Sequence, residues 1–459
     1  MSEEPPQGSP VTDAVIAHAL TMRDQPLPKP AEDAARDLLL DAVGVGIAGS
    51  ITPESQALRR TAATWGTGDA GLVWGARDRL PIAAAALVNA HQMHCLEYDA
   101  IHEPAVVHPM SVVLPVLGAW AQQAALEGRP VDGARFLRAV AVGVDVAAGL
   151  GEVTTSPLRF FRPATAGALG SVLALTVAAN ASPEIATAAF GVAYGGLSGT
   201  MQPHQEGAQV LALQVGLNAR AALSAWDLAH AGFRGPRRVL EGTFGYFRLI
   251  EAAGEPELLA ERLGRRWEVR RTSVKPFPSG RATHGVLDAV LSLRDEHGFA
   301  FADVERVDAF VPSMVHTLVG RAPTADLTPG AARLCVRYLV AYALRHGDVQ
   351  LGAYDESALR DPDLLDLAGR VQVTVDGNPD PNAFDPQTVR VTLRDGRVVE
   401  LTLPRSLGSP DRPVGQARLE AKFRANLAAA KRSAAADRVL ELARGITDLS
   451  DASTLIEAM

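Results

Sequence analysis

Hydrophobic positions recur with helical spacing from Pro30 to about Gly232, and the pattern predicts helices over residues 31–48, 81–97, 111–127, 133–149, 166–181, 183–200 and 209–231. Several are apolar nearly all the way round. The stretch 166–181 has no polar face to offer water, so it is expected inside a domain or against a partner subunit, which makes a homo-oligomer the expectation. Near Trp267 the pattern changes. Residues 267–274 and 304–311 alternate as strands do, 285–296 and 330–346 read as helices, and 370–375, 388–393 and 397–403 read as further strands. The Asp395-Gly396 pair between the last two is a hairpin signal. The Pro/Gly-rich stretch 404–415 reads as a linker, followed by helices over 416–430 and 434–445 that are polar on one face. The expected fold class is mainly α with a second α+β domain. Residues 11–266 form a helical domain, 267–404 an α+β domain, and 405–459 a helical segment docking back on the first.

Composition narrows the function. The 459 residues are 47% hydrophobic but only 5% aromatic, and a core of Ala, Leu, Val and Gly favours close-packed helices over a β-sandwich. A formal charge of -8 opposes binding to nucleic acid or an anionic membrane surface, both of which need a basic field. Cys95 and Cys335 are too few for a disulfide framework or a cysteine-rich zinc site, which fits a reducing cytoplasm. The first ten residues are acidic and Pro/Ser-rich, so they read as a disordered tail lacking the apolar centre of a secretion signal. No apolar run reaches spanning length without a Gly or a charge, and a soluble cytoplasmic protein is expected.

Four segments carry candidate chemistry. Between Cys95 and Pro109 the chain packs Glu97, Asp99, Glu103, His102 and His108 into a break between two apolar helices, with Ser111 a plausible cap for the second. Ionisable groups crowded beside a large core can have their pKa values moved toward neutrality, as acid–base work requires; the alternative is a solvated acidic loop. The histidine spacing does not suit adjacent helical ligands and no HExxH occurs, so no metal is expected. In the second segment, 157–170, Arg162 precedes a Gly/Ala-rich helix start that could bind an anion; alternatively Gly167 and Gly170 serve close helix packing. The third, 274–284, is cationic through Lys275, Arg281 and His284 and suits a carboxylate, or is a surface connector. The fourth, 201–207, could line a cavity with His204 and Glu206 or satisfy helix ends. No Walker A, GxGxxG after a strand, GxSxG or CxxC pattern is present, so nucleotide, nicotinamide and serine-hydrolase readings lack support.

Read in order, the segments resemble the MmgE/PrpD family, which includes 2-methylcitrate dehydratase, cis-aconitate decarboxylase and iminodisuccinate epimerase. The resemblance is carried by Asp41-Ala42-Val43-Gly44 with Ala48-Gly49, 96–102 with His108-Pro109, 164–170, 231–236 leading to 239–242 and 245–247, Lys275-Pro276-Phe277-Pro278 with His284, and Lys422-Phe423. It implies a large all-helical domain formed by both chain ends, a smaller α+β lid, a homodimer, a site between the domains that needs no cofactor, and a small carboxylate or polycarboxylate substrate. The chain departs from the family pattern at three places. Glu97-Tyr98-Asp99-Ala100-Ile101-His102 stands where the family has Asp-Phe-Asp-Asp-Thr-His, Arg162 stands in place of a His before Pro-Thr, and the family lysine falls on Leu211 in an ungapped placement. Arg stays charged at working pH and cannot shuttle a proton, so Arg162 is expected to bind and not to titrate.

These readings converge on a cofactor-independent lyase, a dehydratase or decarboxylase of a small carboxylate. His108 or His102 would move the proton, Asp99 would orient a histidine or take the proton itself, and Lys275 and His284 would work at the anion. Glu97, Arg162, His204 and Arg281 are the expected substrate-binding residues. An epimerase or isomerase abstracting a proton beside a carboxylate, and a non-catalytic family member, remain open at this stage.

Overall fold

The computed structural model describes residues 10–324, 326–380 and 383–459. Of the expected tail, residues 1–9 lie outside the described residues, and Pro10 opens a helix running to Thr21. The protein is mainly α-helical with a smaller α+β part, and it divides into two compact units. One takes the chain up to Cys95, Asp99–Thr272 and Ala417–Met459; the other takes Leu96–Tyr98 and Ser273–Gln416.

The first unit is built around Arg162–Ala178, a helix buried at every residue. Its hydroxyls need partners once water is excluded, and they find them one turn back: Ser171 Oγ donates to the Gly167 carbonyl at 2.7 Å and Thr176 Oγ1 to the Val172 carbonyl at 3.1 Å. Gly133–Glu152 and Val210–His230 pack along this helix, and Ile82–His94 and Met110–Leu126 complete the layer. Small residues set the crossings. A Cβ on Gly170 would come within 2.4 Å of the Gly143 carbonyl oxygen, so the glycines of the second sequence segment serve packing. The all-round apolar helix is therefore covered by its own chain and gives no argument for a second subunit.

Lys29–Gly49 crosses Ile82–His94 closely enough that a Cβ on Gly49 would lie 1.9 Å from the Gln92 carbonyl oxygen. The later helix Gln416–Ala429 returns to Lys29–Gly49: Lys422 Nζ sits 2.6 Å from Asp41 Oδ1, both side chains buried. The strand expected over 267–274 is absent. Glu268–Arg271 is a 3-10 turn, because Glu268 is itself buried and held by polar partners, which breaks the in–out alternation that a half-buried strand requires. The helix after the acidic loop starts at Met110, and Ser111 does not cap it; its hydroxyl donates to the His108 carbonyl at 2.6 Å.

In the second unit the strands are ordered Val371–Val375, Val304–Val311, Gln387–Leu393, Val398–Leu403. The first pair is parallel, with Val307 opposite Val371, and the other two pairs are antiparallel. The expected hairpin forms: Gly396 takes a φ of 91° and Asp395 Oδ1 accepts the Arg397 N–H at 3.0 Å. Val307, Ala309, Val389 and Val391 face the helices His284–His297 and Val336–His346 in one hydrophobic core. Residues 330–346, expected as one helix, are broken between Arg333 and Val336. The segment read as a linker is packed on this unit, with the Val274 N–H donating to the Gly408 carbonyl at 3.0 Å and Arg412 paired with Asp288.

Candidate functional site

Helix Ile82–His94 ends just before the acidic loop, and its last residue reaches into it. His94 Nδ1 lies 2.9 Å from Asp99 Oδ2, and His108 Nδ1 lies 3.1 Å from the same oxygen. The two imidazoles meet edge to face with ring centroids 4.7 Å apart, and Phe161 flanks His94 at 5.5 Å. Asp99 is fully buried and His108 is 7% exposed, the most open of the three. Burial alone would raise the Asp99 carboxyl, but the charges and N–H groups of His108 and His94 outweigh it and hold the carboxyl well below its usual range. Asp99 is thus an anion that orients two histidines at once. His94, which sequence reasoning missed, lies five residues before Asp99 on the preceding helix, so counting that helix's last turn with the loop would have found it.

His102 has a different environment. Its Nδ1 accepts the Ala105 N–H at 3.2 Å, which leaves Nε2 to donate to Glu268 at 2.9 Å. Arg266 and Arg271 each approach Glu268 at 2.8 Å, and Arg271 also meets Glu152 at 2.6 Å. Burial pushes the Glu268 carboxyl up, yet the bond to His102 and the neighbouring arginines leave it lowered. With both nitrogens engaged, His102 serves as a strut of the loop, and its expected share in moving the proton has no geometric support.

Arg162 is also spoken for. Its Nε and Nη2 donate to the two Glu251 oxygens, each at 2.9 Å, and Nη1 donates to the Ala105 carbonyl at 2.7 Å. Tyr246 OH adds a bond to Glu251 at 2.9 Å. The expectation that Arg162 grips a substrate anion gives way to a clamp: Ala105 is held at its carbonyl by Arg162 and at its N–H by His102. The next residue, Val106, is held in the left-handed region at φ 51°. His108 follows two residues later, so these contacts fix its approach to Asp99. Nothing local in the sequence pointed to Glu251.

The second unit collects the remaining candidates. Lys275 is fully buried, and its Nζ donates to the Glu97 carbonyl at 3.0 Å and to Glu97 Oε2 at 3.2 Å. Glu97 itself takes a left-handed φ of 51°. Tyr98 OH donates to the Pro276 carbonyl at 3.3 Å. Arg281 donates to the carbonyls of Leu407 at 2.6 Å and Ser406 at 3.3 Å, and its Nη1 lies 3.2 Å from His284 Nδ1. Since guanidinium can only donate, His284 accepts there and donates from Nε2 to the Ser279 carbonyl at 3.2 Å. In the first unit His204 lies, partly exposed, on the five-residue helix Gln202–Glu206.

Comparison with known proteins supplies the decisive observation: the MmgE/PrpD N-terminal domain matches residues 14–259 and the MmgE/PrpD C-terminal domain matches residues 277–446. The chain belongs to the MmgE/PrpD family. It is a lyase of the MmgE/PrpD type. A human cis-aconitate decarboxylase is 28% identical over 439 residues, covering 92% of this chain and 88% of its own. The mouse cis-aconitate decarboxylase is also 28% identical, with 92% and 87% covered. A cis-aconitate decarboxylase of Aspergillus terreus is 24% identical over 476 residues, with 98% and 96% covered. Among the described residues no helix is long and apolar enough to cross a membrane.

Proposed function

We propose that this MmgE/PrpD-type lyase removes carbon dioxide or water from a small carboxylate by acid–base catalysis without a cofactor, with His108 moving the proton. The observation that carries the reading is the sharing of one Asp99 oxygen by His94 and His108. Loss of carbon dioxide leaves a carbanion that must be protonated, and loss of water requires a base at one carbon and an acid at the departing hydroxyl. Two imidazoles held on one buried carboxylate place a proton donor and a proton acceptor side by side, the arrangement that acid–base catalysis needs. The decarboxylases similar to this chain support the lyase over an isomerase. Lys275, held by Glu97, and His284, held by Arg281, are proposed to act at the substrate anion. His204 remains a candidate contact.

The test is incubation of the purified protein with cis-aconitate and a pool of small carboxylic acids, followed by mass spectrometry. Loss of carbon dioxide or water from one acid, abolished in His108→Ala, is the expected result. Deuterium wash-in with no loss of mass would instead assign an isomerase, and unchanged turnover in His108→Ala would remove that residue from the chemistry.

We further propose that the protein acts in the cytoplasm as a homodimer. Phe233, Phe244 and Leu249, which are 60%, 77% and 55% exposed within one short stretch of the chain, support this reading as apolar side chains that a second copy could cover. Sedimentation at several protein concentrations tests it, and a monomer throughout would end the proposal.

A further inference from the structure

Deep in the protein, positive charge is scarce and already matched. The buried Lys and Arg side chains among the described residues are Arg162, Lys275, Arg281 and Lys422. Arg162 is held by Glu251, Lys275 by Glu97 and Lys422 by Asp41, one carboxylate for each cation. Arg281 gives its N–H groups to the carbonyls of Leu407 and Ser406 and to His284. Against these stands Asp99, an anion whose charge the imidazoles of His94 and His108 already answer.

A tricarboxylate such as cis-aconitate brings three negative charges, and a desolvated anion is tolerated only where each charge finds a cation or several donors. The buried guanidinium of Arg162, one residue after the Phe161 that flanks His94, is cancelled by Glu251 at two points, so its field on an incoming anion is small. Ile101, two residues after Asp99 in the same loop, is buried and adds no charge. Exposed arginines are hydrated and contribute weakly to holding an anion. Resting on the lyase reading above, we infer that the substrate carries fewer carboxylates than cis-aconitate: a monocarboxylate or dicarboxylate with an apolar carbon segment. Glu251 is then a specificity-determining residue, because it silences a cation that would otherwise be available.

The experiment is calorimetric titration of the full-length protein with three unsaturated acids, crotonate, mesaconate and cis-aconitate, which carry one, two and three carboxylates. Wild type is expected to bind crotonate or mesaconate at least about tenfold tighter than cis-aconitate. Glu251→Gln keeps the shape but releases the Arg162 charge, and it should move that ratio toward cis-aconitate by about tenfold, an effect a merely structural role for Glu251 would not produce. Tightest binding of cis-aconitate to wild type overturns the inference, as does binding of none of the three, and either outcome holds even if the variant fails to fold. An unchanged ratio in folded Glu251→Gln removes Glu251 from specificity. Binding of the smaller acids without turnover would remove the lyase reading and leave this one standing, whereas efficient turnover of cis-aconitate would do the reverse.

Discussion

The guanidinium of Arg162 meets the carboxylate of Glu251 through two bonds of 2.9 Å, both groups buried. Planar, two-point pairing of this kind is strong and directional, and removing one partner strands a charge in the interior. Arg162→Ala and Glu251→Ala should each destabilise the protein by about 3–5 kcal/mol, whereas the double variant should cost less than the sum. Chemical denaturation of the four proteins measures this coupling, and strict additivity would show that the two residues act separately.

His94 and His108 share Asp99 but differ in exposure, and their variants should differ accordingly. His108→Ala is expected to lower kcat on the identified substrate by about two to four powers of ten, as loss of a positioned acid–base group does. His94→Gln retains a polar group toward Asp99 and should give a smaller loss together with a shifted pH–rate profile. Equal kcat profiles for His94→Gln and wild type would show that the second imidazole is idle.

The depressed Asp99 carboxyl binds its proton less readily folded than unfolded. Its contribution to stability is therefore fully present above the ordinary carboxyl pKa, about 4, and is lost as the pH falls toward the folded value. Asp99→Asn should lower the melting temperature at pH 7 and flatten the loss of stability below about pH 4. A parallel acid limb in both proteins would contradict the assignment.

His91 behaves in a distinct pH window. Burial, and then the charge of His94, lower its pKa from 6.5 to about 4, and its Nδ1 lies 3.1 Å from Ser55 Oγ. Between those values the unfolded chain takes up a proton that the folded one refuses, so acidification from pH 6.5 to 4 costs up to about 3 kcal/mol. His91→Asn should reduce the drop in melting temperature between pH 7 and pH 5.

Gly49→Ala should be among the most damaging single changes in the helical unit. The new methyl would meet the backbone carbonyl of Gln92, which cannot rotate away as a side chain could, so the two helices must separate. Loss of soluble expression or a melting temperature lowered by several degrees is expected, and a wild-type melting curve would show that the crossing can relax.

Much of the helical unit was legible in the sequence because its helices are long and strongly periodic; the helix expected over 133–149 is observed as Gly133–Glu152, and the strand 304–311 as Val304–Val311. The failures have physical causes. Residues 267–274 imitate a strand only if Glu268 faces water, and it does not. Arg162 read as a ligand for an outside anion because its counterion, Glu251, lies 89 positions away along the chain. Within the acidic loop, Asp99 and His108 were visible as a local cluster. His94 was hidden by its place inside an apolar helix, and the different role of His102 depended on a hydrogen bond to Ala105 that no sequence pattern encodes.

The salt bridge between Asp41 and Lys422 ties together two helices that are far apart in sequence. A chain cut between them would lose that countercharge at the buried Asp41 and the Phe423 ring that packs against Gly44. The helical body is therefore closed by a long-range contact, and both sequence segments must be present before it can unfold and refold as one cooperative piece.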